Sequence, residues 1–303
     1  MKTIHFISLA ESNFSLIIAS IKMGYDISLS EEIISDSLRE KLSKNNLIVE
    51  DGWFPDRITS KIDLIVVDSK LKSNNSELLK AKSIGIKIFS IVEFINKITE
   101  RKTKVVVYGI NGKKTLISVI MHVLGFHNID FGYYISDKYQ KNKSKVHLTK
   151  NNDFILIEVS ENIFGDMISD SNFNFFKPHI AVITSYFSRK MNKEIHNKKF
   201  RKNYLSFINN ISPGGNLIFN KNDIEINGLI EDSSNVIKTV KLLKPSTIII
   251  GDSVNLETDE GLYPLKIKDD FSLLNISFSI WVCQLLGIYH SDFYDAIVSY
   301  KDS

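Results

Sequence analysis

Short, uninterrupted apolar runs recur along the chain and alternate with helix-like segments, and this constrains the fold more than any other feature. Leu64–Val67 (LIVV), Lys104–Tyr108 (KVVVY), Phe154–Glu158 (FILIE) and Ile180–Thr184 (IAVIT) are each four or five residues long and apolar on both faces. Strands of that kind are buried on both sides, as in a parallel sheet covered by helices. In the first hundred residues, strands are expected at Thr3–Ser8, Asp26–Leu29, Leu64–Val67 and Lys87–Ser90. Helices are expected at Ser12–Met23 (stopping at Gly24), Ser76–Ile84 (stopping at Gly85) and Glu93–Glu100. That βαβ order predicts a Rossmann-like, doubly wound domain over 1–100. A charged link, Thr99–Thr103, leads to a second α/β domain over 103–303. Its helices are expected at Thr115–Leu124, Phe200–Ile211 and Leu273–Leu286, with an amphipathic stretch at Phe293–Tyr300. Asn216–Asn220 and Thr247–Ile250 continue the same α/β pattern.

Composition narrows the function classes. With 303 residues, 43% hydrophobic and 24% charged, the chain has the make-up of an ordinary globular protein. No apolar run is long enough for a membrane helix, and His5 and Glu11 interrupt the N-terminal stretch, so it reads as a strand and not a signal peptide. The single Cys283 rules out an internal disulfide and a cysteine metal cluster. A cytoplasmic, membrane-free protein is expected. Only five of the 38 basic residues are Arg, and Lys, Asn and Ile, all with AT-rich codons, are abundant. The densest basic run, 138–150, lacks interleaved Arg and aromatic residues, so a solvated loop is expected there and no nucleic-acid site.

The main chemical motif is Gly109-Ile-Asn-Gly-Lys-Lys-Thr115, set between a strand and a helix. Glycines let backbone N–H groups wrap a phosphate, and a lysine neutralises it. By itself the motif reads equally as a nucleotide loop or as an ordinary βα turn.

Other segments carry a wider resemblance. Ile4-His-Phe-Ile7 with Gly24-Tyr25 and Ser30, Asp51-Gly-Trp-Phe-Pro-Asp-Arg-Ile58, Glu77–Lys82 with Gly85-Ile86, and Phe126-His-Asn-Ile129 come first. Phe176–Ala181, Gly214-Gly215, Glu260–Ile267 and Cys283–Gly287 follow. Together with the glycine loop they resemble the Mur ligases, in the branch of the murein peptide ligases and UDP-N-acetylmuramate–alanine ligases. The resemblance implies a Rossmann-like UDP-sugar domain and a P-loop-type central ATP domain. It implies ATP- and magnesium-dependent amide bond formation on UDP-N-acetylmuramate through an acyl phosphate. A C-terminal domain would begin near Tyr300–Ser303, and by this reading it is absent. Gly109, Asn111, Gly112, Lys113, Lys114, Thr115 and Asn275 are the nucleotide-site candidates, and Glu158 and Glu161 the metal candidates.

Against the family pattern, several positions have changed. The diphosphate-loop glycines are replaced by Ala10 and Glu11. A carboxylate at about 4 Å from a phosphate costs on the order of 1–4 kcal/mol. Ser30-Glu31 stands where the family has Ser-Asp, compatible with a ribose contact or with a surface cap. Lys114 replaces the magnesium-holding hydroxyl, and Thr115 lies about 100° further round the helix. Glu158-Val-Ser-Glu161 keeps two of three acids. The Asp-His pair expected after the IAVIT strand aligns with Arg189 and Lys190. A His-Asn pair survives only as Asn275. The other histidines, His122, His127 and His179, have no metal spacing, and packing or surface roles are expected.

Three functional expectations follow. The first is a catalytically inactive Mur-ligase-like protein that still takes a nucleotide or UDP-sugar. The second is an active split ligase completed by another chain. The third is a non-enzymatic interaction module with a protein partner on apolar surface near Phe293 and Tyr300.

Overall fold

The computed structural model describes residues 2–8, 13–68, 71–135, 145–159, 176–185, 195–267 and 269–301, without the side chains of 195–199. Glu11, Glu161, Arg189 and Lys190, with Ala10 and most of the 138–150 run, lie outside the described residues. Two compact units are present. The first holds Met1–Arg101 with Ser144–Asn152, and the second holds most of the remainder.

In the first unit the order is β1 (Thr3–Ile7), α1 (Phe14–Lys22), β2 (Asp26–Ser30), α2 (Asp36–Ser43), a 3-10 turn at Pro55–Arg57, β3 (Leu64–Val67), α3 (Ser76–Ser83), β4 (Ile88–Ser90) and α4 (Ile91–Ile98). The strands form one parallel sheet, β2-β1-β3-β4. Side chains alternate across it as a pleat requires. Ile7 and Ile65 pack with Leu78 and Ala81 of α3, while Phe6 meets Phe94 of α4 edge to face at 5.6 Å. Helix starts are set by local side chains. Ser35 and Asn75 accept the Leu38 and Leu78 amides, and Ser90 with Glu93 forms a reciprocal capping box.

The second unit opens with β5 (Thr103–Tyr108), α5 (Lys113–Phe126) and β6 (Gly132–Tyr134). β7 (Val146–His147) belongs to the first unit. Then come β8 (Phe154–Glu158), β9 (Ile180–Ile183), α6 (Ile195–Asn209), β10 (Asn216–Asn220), α7 (Ile224–Glu231), β11 (Lys238–Leu242), β12 (Thr247–Ile250), β13 (Ser253–Thr258), β14 (Gly261–Leu265), α8 (Asp270–Leu285) and α9 (His290–Ile297). Parallel pairing runs β11-β10-β9-β5-β8-β6. Val105 and Val107 of β5 share the core with α5 and α8. Tyr108, on the opposite face, stacks against Tyr204 and Phe207 of α6 at 4.5 and 5.1 Å.

Two expectations are corrected here. Thr247–Ile250 does not continue the parallel pattern; it opens a three-stranded antiparallel meander, β12-β13-β14, turned by Gly251-Asp252. Phe293 and Tyr300, expected to mark exposed apolar surface, do not themselves lie at the surface. Both are buried, because α9 lays its apolar stripe on α5 and α8. No helix among the described residues is long and apolar enough to cross a membrane.

Candidate functional site

The loop between β5 and α5 sits at the C-terminal end of a central parallel strand, where α/β sheets place their ligands. Gly109 has φ +141° and Gly112 has φ +83°, conformations that L side chains rarely adopt. A Cβ on Gly109 would come within 2.4 Å of Thr184 Oγ1 and 2.9 Å of the Ser185 amide nitrogen. One on Gly112 would come within 2.5 Å of the Phe271 ring and 3.0 Å of Asn275 Nδ2. Both glycines are therefore demanded by the protein's own packing, and they do not by themselves reveal a ligand.

Strand β9, beside β5, braces the loop. The Asn111 amide donates to Ser185 Oγ (2.9 Å) and Thr184 Oγ1 donates to the Asn111 carbonyl (2.5 Å). Tyr204 from α6 donates to the Ser185 carbonyl at 2.7 Å. Lys113 Nζ donates to the Gly109 carbonyl. Thr184, Ser185 and Phe271 were not legible as site residues, because only the sheet order and the packing of α8 bring them here.

Gly112 caps α5 without a side chain, so no side-chain cap serves its first turn. Helices α2, α3, α4, α7, α8 and α9 each carry an acid in the first turn. α5, like α1 and α6, has none, and it begins with Lys113 and Lys114. Cations at a helix N-terminus oppose the macrodipole by about 0.3–1 kcal/mol each unless an anion joins them. Lys114 is exposed and Thr115 half-buried.

Asn275 supplies the independent sign of a ligand. Phe271 and Asn275 are four apart on α8 and so share a face, turned to Gly112. Asn275 is 1% exposed, and neither its Oδ1 nor its Nδ2 has a hydrogen-bond partner. Leaving a buried amide unsatisfied costs about 1–3 kcal/mol.

Of the metal candidates only Glu158 lies among the described residues. Glu158 is buried at the end of β8, paired in register with Val107. No group of three His, Cys, Asp or Glu side chains that could hold a metal exists among the described residues. Glu158 alone does not fit magnesium, which takes six oxygens in an octahedron. The histidines are structural. His122 Nε2 donates to the Ala296 carbonyl and His127 Nε2 to the Asp292 carbonyl, joining α5 to α9. His179 Nδ1 accepts the Lys104 amide, and burial, then the Lys104 charge, lowers its pKa.

In the first unit, Ser8 has φ +64° and its amide donates to the Ser30 carbonyl at 3.0 Å. Asn13 Nδ2 donates to Asp68 at 2.7 Å. Ser30 itself is not a surface residue. It is buried, 3.2 Å from His5 Nε2, in a cluster where Glu77 accepts the Phe54 amide at 2.6 Å. Glu31 accepts its neighbour's amide, that of Glu32.

No protein-family model matches the chain. It is 28% identical over 212 residues to the UDP-N-acetylmuramate–L-alanine ligase of Buchnera aphidicola, covering 69% of this chain and 41% of that protein. The enzyme of the same name from Carboxydothermus hydrogenoformans is 24% identical over 304 residues, covering 95% of this chain and 63% of that one. The chain thus spans about half the length of these curated relatives. Among solved structures, the UDP-N-acetylmuramate:L-alanyl-gamma-D-glutamyl-meso-diaminopimelate ligase of Neisseria meningitides superposes with a TM-score of 0.78 at 16% identity. That match covers 100% of this chain and 99% of the other. Sequence and structure point the same way: the chain is similar in sequence to these UDP-N-acetylmuramate–L-alanine ligases and shares the fold of the Mur ligases.

Proposed function

We propose that this chain is a Mur-ligase-like protein of peptidoglycan precursor metabolism that binds a nucleotide phosphate at Gly109–Thr115 and does not catalyse ligation. The observation that carries the reading is Asn275, a buried amide left without partners behind Gly112. In the relatives' chemistry ATP with magnesium activates a carboxylate as an acyl phosphate. Here the loop amides, Lys113, Lys114 and Asn275 would hold the nucleotide. Lys114, which cannot ligate a cation and repels one, argues against the metal-dependent step.

Titration calorimetry with ATP tests this. Equal affinity with and without Mg²⁺, reduced at least tenfold by Lys113→Ala, is expected. Tight UDP-sugar binding without any ATP binding would overturn it, since by the family pattern Glu11 replaces a glycine of the diphosphate loop.

One observation favours a second reading, an active ligase completed by another chain. Gly109, Gly112 and Lys113 are retained, and Glu158 ends the strand next to the loop. ADP formation that appears only on adding a separate C-terminal ligase domain would select that reading.

A further inference from the structure

The donors of the glycine loop are turned on its own surroundings. The Ile110 amide donates to the Ser185 carbonyl at 3.3 Å, and the Asn111 amide to Ser185 Oγ at 2.9 Å. One residue, just past the end of β9, therefore takes both amides in the middle of the loop. The Asn111 carbonyl is held as well, by Thr184 Oγ1 at 2.5 Å and by Ser185 Oγ, which donates to it at 3.4 Å. Ser185 is itself fixed, since Tyr204 of α6 donates to its carbonyl at 2.7 Å. Tyr204 is fully buried and packs on Tyr108 of β5.

A bound phosphate would compete for these groups. Loop N–H groups cradle an anion when they converge on it, and a charged phosphate oxygen is a stronger acceptor than a hydroxyl. The first helical bond of α5 runs from the Leu116 amide to the Gly112 carbonyl, so the Lys114 and Thr115 amides have no acceptor within the helix. Asn275 marks the same end. Its buried side-chain amide is unsatisfied, and its Nδ2 lies 3.0 Å from where a Gly112 Cβ would stand. The helix end and the two amides engaged by Ser185 are thus adjacent sets of donors in different states.

We propose that Ser185 is a latch on the phosphate loop, and that a nucleoside di- or triphosphate binds by displacing its hydroxyl from the Asn111 amide. The proposal rests on the nucleotide reading of Gly109–Thr115 and adds to it a regulated step. The helix end takes one phosphate group without disturbing the latch. A ligand with two or three linked phosphates extends to the middle of the loop, and its second phosphate takes the Asn111 amide from Ser185. Release costs the net contribution of one hydrogen bond, about fivefold in affinity. A monophosphate leaves the latch closed and carries no such cost. Ser185 therefore separates phosphate ligands into those the closed loop accepts and those that must open it.

Titration of the full chain with ATP and with AMP is the test, joined to hydrogen exchange at the Asn111 amide. Ser185→Ala should bind ATP about fivefold more tightly than the wild type, with the gain confined to ATP. In the free proteins the Asn111 amide should exchange faster in Ser185→Ala. Ser185→Thr keeps a hydroxyl and should bind ATP more weakly than Ser185→Ala. Tyr204→Phe withdraws the support of the Ser185 carbonyl and should shift ATP affinity in the same direction as Ser185→Ala, which keeps the test sharp if the alanine variant misfolds. ATP affinity that is unchanged or weakened in Ser185→Ala overturns the latch and leaves the nucleotide reading standing, as does an equal gain for AMP. ATP binding by Ser185→Ala alone supports both. No ATP binding by either protein overturns the nucleotide reading and the latch with it.

Discussion

Two buried polar side chains behave in opposite ways. Glu77 is fully buried in the first unit, and His5 and the Phe54 amide satisfy its carboxylate at 3.4 and 2.6 Å. Burial pushes its pKa up, but the hydrogen bonds from His5, Phe54 and Ser30 outweigh it and hold the pKa below the usual carboxylate value. A depressed carboxyl pKa contributes stability above the unfolded value, and that contribution is lost as pH falls through the folded one. Glu77→Gln cannot titrate, so its melting temperature should fall less steeply than the wild type's below the ordinary carboxylate range. Parallel acid limbs in the two proteins would refute the assignment. Asn275 has no partner to lose. Asn275→Leu should therefore raise stability, by about 1 kcal/mol, since it removes an unsatisfied amide. The same change should weaken ATP binding. Unfolding and titration on one sample decide the matter, because a purely structural Asn275 would leave the affinity untouched.

At the scale of elements, the sequence is most legible where burial is two-sided. LIVV, KVVVY, FILIE and IAVIT became β3, β5, β8 and β9 within a residue of the expected bounds, because an apolar run flanked by helices has one place to go. TIII is just as apolar, yet became the edge of an antiparallel meander. The other two strands of that sheet, β13 and β14, mix polar and apolar residues (SVNLET, GLYPL), and periodicity alone does not separate a half-buried strand from a loop. The two-residue turn Gly251-Asp252 was the available signal. Likewise, the amphipathic stretch at Phe293–Tyr300 was seen, but its apolar face was assigned to solvent. That assignment depended on what covers it, and α5 and α8 do. For the candidate site, glycine spacing pointed to Gly109–Thr115, which joins β5 to α5. Thr184, Ser185 and Phe271 stayed hidden because they reach the loop only through the β5–β9 pairing and the placement of α8. Residues 144–152, which cluster with the first unit, gave no compositional sign of doing so.

For the whole molecule the question is whether two well-formed units amount to an enzyme. Phosphoryl transfer needs little covalent help from a protein; nearly all the acceleration comes from positioning and from neutralising charge on the transferred group. On the proposed reading, the described residues would retain the first resource in the cradle around Gly112 and Asn275, and the second as Lys113 and Lys114. A lysine in place of a metal-ligating hydroxyl changes how charge is met. It offers a fixed cation to a bound phosphate and disfavours a mobile one beside it. The protein should therefore form no ADP when given ATP, Mg²⁺, UDP-N-acetylmuramate and L-alanine or a peptide, while still binding ATP. Lys114→Thr carries the argument further. Removing the ammonium and restoring a hydroxyl should make ATP binding magnesium-dependent, with affinity in EDTA falling below the wild type's and addition of Mg²⁺ recovering it. ADP formation by the unaltered protein at a rate of about 1 per second, abolished by Lys113→Ala, would show that the cation requirement is met elsewhere in the chain and that the inactive reading is wrong.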